Sequence, residues 1–374
     1  MLPIKMVDLH GQYLQIKEEI DTAMQEVLDR TDFIHGKSVS DFEKELSNFL
    51  GGTHVISCAN GTDALQIAMM ALGFKPGDEV ILPVYTYVAT AEVIALLNLV
   101  PVFVDVDEDN YTLNISQVEK AITKKTVAIV PVHLFGQCAP MESLLELAKK
   151  RNIHIIEDAA QSLGADYIFK DGSRKKSGTI GHIGSTSFFP SKNLGAFGDG
   201  GAIFTNDGAI AEQIRMIASH GQKKKYYHDV VGVNSRLDTL QAAILLVKLK
   251  YLNQYAEKRK AVADYYDAQL NSLQNLKMPL RNKQSTHVFH QYTMVVKNGK
   301  RDQLKDYLNK KNIPSMIYYP VPLHLQLAYR KEGVGAGAFL VSEMLASSVI
   351  SLPIHTEMDT DQLSYICDAI KNFS

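Results

Sequence analysis

One lysine, Lys192, follows the run Ser187-Phe188-Phe189-Pro190-Ser191 and precedes the glycine-rich stretch NLGAFGDGG. Most lysines are solvated surface groups. This one stands between aromatic and glycine-rich segments, where solvation competes little and a ligand can approach the backbone closely. A Schiff-base lysine needs that setting. A second segment, Glu157-Asp158-Ala159-Ala160-Gln161-Ser162, closes an apolar run. In open parallel sheets ligands bind at the carboxyl ends of the strands. A carboxylate there needs a cationic partner, which a protonated ring nitrogen, an ion pair or a helix start would each provide. A third segment, Cys58-Ala59-Asn60-Gly61-Thr62-Asp63, reads as a strand end, a glycine turn and a helix start. Free backbone N–H groups at such a start bind phosphate, and the Thr62 hydroxyl adds a donor; an ordinary turn capped by Thr62 or Asp63 has the same pattern. The fourth, Gly232-Val233-Asn234-Ser235-Arg236-Leu237-Asp238, is a tight polar segment ahead of a long apolar helix. Plain capping by Asn234 or Ser235 would also account for it.

Each segment alone has an ordinary structural use. Together they supply a phosphate cradle, a carboxylate for a pyridinium, an imine-forming lysine and a further polar loop. The chain has no GxGxxG, no P-loop and no GxSxG elbow. Pyridoxal phosphate is the cofactor whose binding uses all four segments.

The elements that must position these groups alternate between strands and helices. Apolar runs at 55–59, 80–84, 101–106, 127–132, 153–158, 185–189 and 201–205 are separated by helical patterns such as 63–72, with Gly73 placed to end that helix. Runs that are apolar on both faces predict parallel strands covered by helices, hence an α/β fold with a mainly parallel central sheet. Residues 12–50 carry amphipathic helical spacing. After Asn234 the alternation stops: 237–273 reads as long helices, 290–296 as a strand, and 302–311 and 360–371 as helices. The expected organisation is a large domain over 1–255 and a smaller α+β domain over 256–374.

With 374 residues, 46% of them hydrophobic, the chain has material for a sizeable core. Its 39 basic and 41 acidic residues nearly cancel, so neither nucleic acid nor a membrane surface is the expected partner. Cys58, Cys138 and Cys367 are scattered and form no CxxC pair, which argues against a disulfide framework and a zinc site. The opening residues MLPIKMVDLHGQY contain no apolar run of signal-peptide length, and a cytoplasmic protein is expected.

The runs NGTDALQ, EDAAQSLGA, SFFPSKNLGAFGDGGAIFTND and HGQ…VGVNSRLDTLQAAIL in combination resemble the DegT/DnrJ/EryC1/StrS family of sugar aminotransferases, and the resemblance spans essentially the whole chain. It implies a fold-type I aminotransferase using pyridoxal 5'-phosphate, working as a homodimer with active sites shared across the subunit interface. By resemblance Lys192 is the lysine that binds the cofactor covalently, Asp158 the carboxylate on its ring nitrogen, and Gln161 the residue beside its phenolic oxygen. Gly61, Thr62 and Ser187 match the phosphate site, Asn234 a phosphate ligand from the partner subunit, and Tyr87 the aromatic residue stacked on the ring. The branch it is most similar to transfers the amino group of L-glutamate, leaving 2-oxoglutarate, to C3 of UDP-2-acetamido-2-deoxy-3-keto-D-glucuronic acid. That product serves bacterial surface polysaccharide such as O-antigen. In that branch Arg236 matches a contact to the sugar carboxylate from the partner subunit. The chain departs from it at Tyr318, where the branch has histidine near the sugar; His324 is either a compensating contact or a surface histidine after a proline turn. A dTDP-3-keto-6-deoxyhexose 3-aminotransferase would share all the cofactor residues. A dehydratase of the same fold would carry histidine in place of Lys192, and a non-catalytic cofactor-binding regulator is the reading from a different class.

Overall fold

The computed structural model describes residues 3–373. In chain order the strands are β1 (His54–Cys58), β2 (Glu79–Pro83), β3 (Val100–Val104), β4 (Thr126–Ile129), β5 (His154–Asp158), β6 (Asp166–Ile168), β7 (Arg174–Lys176), β8 (Ile183–Ser187), β9 (Gly201–Thr205), β10 (Gln222–Lys224), β11 (Tyr227–His228), β12 (Leu276–Lys277), β13 (Tyr292–Val296) and β14 (Val349–Leu352). Seven of them form the central sheet in the order β1-β9-β8-β5-β4-β2-β3.

The runs read as apolar on both faces have a simple cause. Side chains alternate across a strand, and here each face meets its own helix layer. Val80, Leu82, Ala128, Val130 and Ile156 pack into one core with the helices Gly61–Ala71 and Gly208–Ala218. Ile81, Ile129 and Ile155 point the other way, into a core with the helix Met141–Arg151. Burial on both sides leaves little room for polar alternation.

β3, β2, β4, β5 and β8 are parallel neighbours. The run at 201–205 departs from the parallel expectation: β9 is antiparallel to both β8 and β1. Parallel strands need a crossover, usually through a helix. The connection 188–200 contains no helix and returns directly, with Phe188 N–H donating to the Gly200 carbonyl. β1 is thereby turned back into the common direction. The carboxyl ends of β1, β2, β5 and β8 share one edge of the sheet.

The second part of the chain builds the three-stranded antiparallel sheet β12-β13-β14. Its core includes Tyr292, Met294, Ile350 and Leu352 from the strands, with Leu304, Leu308, Ile366 and Ile370 from the helices Arg301–Lys310 and Thr360–Lys371. The helix Leu252–Leu270 serves both parts. Leu252 packs with Phe42, Phe188 and Phe204, whereas Val262, Tyr266 and Leu270 enter the second core. A further cluster joins Tyr85, Val132 and Phe135 to Val295, Leu345 and Val349. Among the described residues no helix is long and apolar enough to cross a membrane.

Candidate active site

At the carboxyl edge of the central sheet lies a cavity of about 700 Å³, whose walls include Gly61, Thr62, Tyr87, Asp158, Gln161, Ser187, Lys192 and Tyr318. Eight of the sequence-predicted site residues thus meet in one place.

The turn after β1 is capped by Asn60, whose Oδ1 accepts from Asp63 N–H at 2.8 Å; neither Thr62 nor Asp63 is the cap. The first N–H groups of a helix have no intrahelical acceptor, so Gly61 and Thr62 offer theirs to the cavity. Position 61 must be glycine, because a Cβ there would lie 2.7 Å from Ser187 Cβ. Its absence brings the Ser187 hydroxyl beside the helix start. Ser235 ties the fourth segment to this turn: its hydroxyl donates to Asp63 Oδ2 at 2.6 Å and accepts from Ala59 N–H at 3.0 Å. The helix that follows begins only at Thr239, with Asp238 at its cap position.

Asp158 ends β5 and is buried. Its Oδ2 accepts from the Thr90 hydroxyl at 2.8 Å, and Oδ1 accepts from Ala160 N–H at 3.2 Å. No cation is hydrogen-bonded to it among the described residues. Gln161 is held at both ends: Oε1 accepts from Phe135 N–H at 2.8 Å, and Nε2 donates to the Tyr319 hydroxyl at 3.0 Å. Burial pushes the Tyr319 hydroxyl above the ordinary tyrosine range, with the Gln161 bond opposing it.

Lys192 borders the cavity, and among the described residues its amine makes no hydrogen bond or ion pair. Burial draws its ammonium down from the ordinary 10.5 to about 8, and the Asp158 charge opposes the shift. The loop after it is pinned: the Asn193 amide donates to the Val288 carbonyl at 2.9 Å, and the buried Lys248 ammonium donates to the Gly195 carbonyl. Tyr87 is 59% exposed at the mouth, with its ring 6.3 Å from that of Tyr319. Tyr318 is half-buried, and its carbonyl accepts from the Tyr85 hydroxyl.

Three predicted residues are not brought here. Asn234 and Arg236 line a neighbouring cavity of about 410 Å³, which touches the first only through Asp199. His324 is 1% exposed, neither a surface residue nor a wall of the Lys192 cavity. Its Nε2 pairs with Glu343 at 3.0 Å, and that carboxylate also accepts from the Gly337 and Phe339 N–H groups, so the short turn after Pro322 folds inward.

Sequence reasoning missed Thr86, Thr90, Tyr319, His290 and Gln291. It also missed a buried pair behind Asp158, in which His133 Nε2 lies 2.8 Å from Glu157 Oε2 and both side chains are fully buried. The signal for that pair was present. A glutamate beside Asp158 in an apolar strand must face the opposite side and find partners there.

The residues fit pyridoxal 5'-phosphate. An anion cradle, an unpaired carboxylate and an unpaired amine share one cavity, whose walls also include Thr86 and His290, with Oγ1 and Nδ1 buried without partners. Residues 14–371 match the DegT/DnrJ/EryC1/StrS aminotransferase family. The chain belongs to this family. It is 46% identical to the UDP-2-acetamido-2-deoxy-3-oxo-D-glucuronate aminotransferase of Pseudomonas aeruginosa, over 99% of this chain and 100% of that one. Identity to the dTDP-3-amino-3,4,6-trideoxy-alpha-D-glucose transaminase of Streptomyces venezuelae is 38%, over 99% and 96%. Among solved structures, DesV of S. venezuelae in complex with a ketimine intermediate superposes with a TM-score of 0.95 at 38% identity, covering 100% of this chain and 99% of that one. NtdA of Bacillus subtilis with bound cofactor PMP gives 0.88 at 31%, covering 96% and 81%. This family member is a sugar aminotransferase, and its cofactor is pyridoxal 5'-phosphate.

Proposed function

We propose that the chain transfers the amino group of L-glutamate to C3 of a nucleotide-linked keto sugar, namely UDP-2-acetamido-2-deoxy-3-keto-D-glucuronic acid, for bacterial surface polysaccharide such as O-antigen. It does so in the cytoplasm as a homodimer. The observation that carries the chemistry is the meeting of Lys192 and Asp158 in one cavity beside the Gly61–Thr62 turn. The choice of sugar rests on the 46% identity to the P. aeruginosa enzyme over the whole of both chains.

When bound, pyridoxal 5'-phosphate supplies a carbonyl that takes up the amine and a ring that withdraws electrons from the substrate carbon. Gly61, Thr62 and Ser187 would hold its phosphate, with Asn234 contributed by a second copy. Tyr87 would cover its ring, Gln161 would lie beside its phenolic oxygen, and Asp158 would keep its ring nitrogen protonated. Lys192 Nζ would take the proton from the amino-bearing carbon of glutamate and pass it to the bound cofactor in the same half-reaction, and would move a proton in the reverse sense to C3 of the ketosugar in the second. Its burial serves that role, because it draws the ammonium down to about 8 and so favours the free amine far more than the ordinary lysine value does. Arg236 of a second copy and Tyr318 recognise the sugar.

Lys192→Ala or Lys192→Arg abolishes turnover; activity equal to wild type would sink the reading. Offered both nucleotide ketosugars with glutamate, the enzyme aminates the UDP sugar. Amination of only the dTDP-linked 3-keto-6-deoxyhexose would replace that substrate choice with the dTDP sugar. A visible cofactor band that no amino donor shifts would point to a regulator.

A further inference from the structure

We propose that Tyr85 is a positioning residue for sugar recognition: its hydroxyl fixes the segment 316–323, and with it the place of Tyr318 in the wall of the Lys192 cavity. The inference rests on the reading above that Tyr318 recognises the sugar.

Tyr85 follows β2 at the carboxyl edge of the central sheet, directly before Thr86 and Tyr87. Those two are walls of the cavity, and Tyr85 is not. Its ring turns instead into the cluster that joins the two parts, with Val132 and Phe135 from the first and Val295 and Val349 from the second, and it is fully buried. A tyrosine buried so deeply needs partners for its hydroxyl. Both partners here lie in the second part, 233 and 234 residues along the chain: the hydroxyl donates to the Tyr318 carbonyl and accepts from Tyr319 N–H at 3.0 Å. Burial holds the hydroxyl well above the ordinary tyrosine range, so it keeps the proton that it donates.

The segment these bonds hold has few other ties. Met316 and Ser351 exchange main-chain bonds at 3.1 and 2.8 Å, and Leu323 N–H donates to the Val84 carbonyl at 3.0 Å. One end is thereby fastened to the second part and the other to the first. Among the described residues, the main chain of 317–320 is hydrogen-bonded only to Tyr85. Tyr319 has a second tether, because its hydroxyl accepts from Gln161 Nε2 at 3.0 Å. The Tyr318 side chain has none: its ring lies 5.8 Å from that of Tyr319, and its hydroxyl bonds to no described residue. The Tyr85 hydroxyl is therefore the polar tether on Tyr318. A side chain that discriminates between substituents must be held to within about 0.5 Å. A buried tether suits that task, since the low dielectric strengthens the bond and no water competes for it.

The test uses full-length holoenzyme carrying Tyr85→Phe, which removes one oxygen and leaves the packed ring, beside Tyr318→Phe and the double variant. With the ketosugar that the wild type aminates, Tyr85→Phe raises KM about threefold to tenfold, or about 0.6–1.4 kcal/mol, the net worth of about one hydrogen bond. The glutamate half-reaction, followed by the visible cofactor band, keeps its rate within about twofold. The double variant has the KM of Tyr318→Phe within about twofold, because Tyr85 acts through Tyr318. Cofactor-free protein is also acylated with acetic anhydride over a pH series, and Lys192 labelling, read by peptide mass spectrometry, keeps its midpoint at about 8. A merely structural role would loosen the whole cavity. It would slow the glutamate half-reaction, move the labelling midpoint toward the ordinary 10.5, or prevent borohydride from fixing pyridoxal phosphate on Lys192, and any of these would overturn the proposal. Multiplied KM effects in the double variant would overturn it too. A raised KM in Tyr318→Phe with a wild-type KM in Tyr85→Phe removes only the positioning role. A wild-type KM in Tyr318→Phe removes the reading of Tyr318 itself, and the proposal with it.

Discussion

Glu157→Gln tests whether the network behind Asp158 holds the active-site strand. Glu157 Oε1 accepts from Ile180 and Gly181 N–H, both at 2.6 Å, and Oε2 accepts from Gly178 N–H at 2.9 Å and from His133 Nε2 at 2.8 Å. The histidine tautomer is fixed, because His133 Nδ1 accepts from Ala139 N–H at 3.0 Å and the ring proton must sit on Nε2. Every group facing the carboxylate is therefore a donor. A glutamine in either orientation turns its NH₂ against two of them. Hydrogen bonds to a charged group contribute about 1.5–3 kcal/mol each, so losing two costs about 3–6 kcal/mol. Urea unfolding with saturating cofactor measures it as a fall in midpoint at unchanged slope. The Asp158 contacts to Thr90 and Ala160 are untouched, so the protein that remains folded keeps its cofactor band. A loss below about 1 kcal/mol would refute the argument, since a carboxylate accepting four buried donors could not be replaced so cheaply.

Gly61→Ala forces a Cβ to 2.7 Å from Ser187 Cβ and 3.3 Å from its Cα. Overpacking of about 1–3 kcal/mol at the phosphate cradle weakens pyridoxal phosphate binding about tenfold to a hundredfold, and wild-type affinity in a cofactor titration would refute this. Asp158→Asn removes the charge that opposes burial at Lys192, so labelling of the cofactor-free protein moves to a midpoint below about 8; a rise would contradict the assignment. The sign for stability follows. Lys192 is depressed when folded, so the unfolded chain binds more protons between about 8 and 10.5, and the lysine adds stability as pH rises through that window. His324→Gln leaves KM for the ketosugar within about twofold, whereas Tyr318→Phe raises it about threefold to tenfold, and equal effects in steady-state assays would cancel the distinction.

The sheet was legible because burial on both faces writes continuous apolar runs, with Ile155 entering one core and Ile156 the other. Direction was not legible. An apolar run reads the same in both senses, and the 201–205 strand is set antiparallel by a helix-free connection that spacing alone does not specify. The local site motifs were legible for a related reason: the Gly61 turn, the Asp158 strand end and the Lys192 loop each hold their chemistry within a few residues. His290, Gln291 and Tyr319 carry no such local signature, since they reach the cavity through the packing of β13 and its flanking loops against the first part. The inward fold of His324 depends on Glu343, 19 residues away, which no short-range pattern announces.

We propose that the boundary between the two parts falls near residues 255–256, inside a helix whose start packs with one core and whose end packs with the other. The charged walls of the cavity fall on one side of that line. All its charged groups, Asp63, Asp158, Lys192 and Asp199, come from the first part. His290, Gln291, Tyr318 and Tyr319, from the second, are uncharged polar groups. Charge moves protons and holds the cofactor; uncharged donors and acceptors discriminate hydroxyl, acetamido and carboxyl substituents by whether their own hydrogen bonds are met. The uncharged groups that the first part adds, such as Thr62, Gln161 and Ser187, are those assigned to the cofactor, so a change of sugar is expected from substitutions in the second part, or at Asn234 and Arg236 outside this cavity. Exchanging 287–291 and 316–319 for the matching residues of a dTDP-sugar relative should move the sugar preference while Lys192 still forms its borohydride-stable adduct. Loss of the adduct together with the preference would show that recognition and chemistry are not divided along this line.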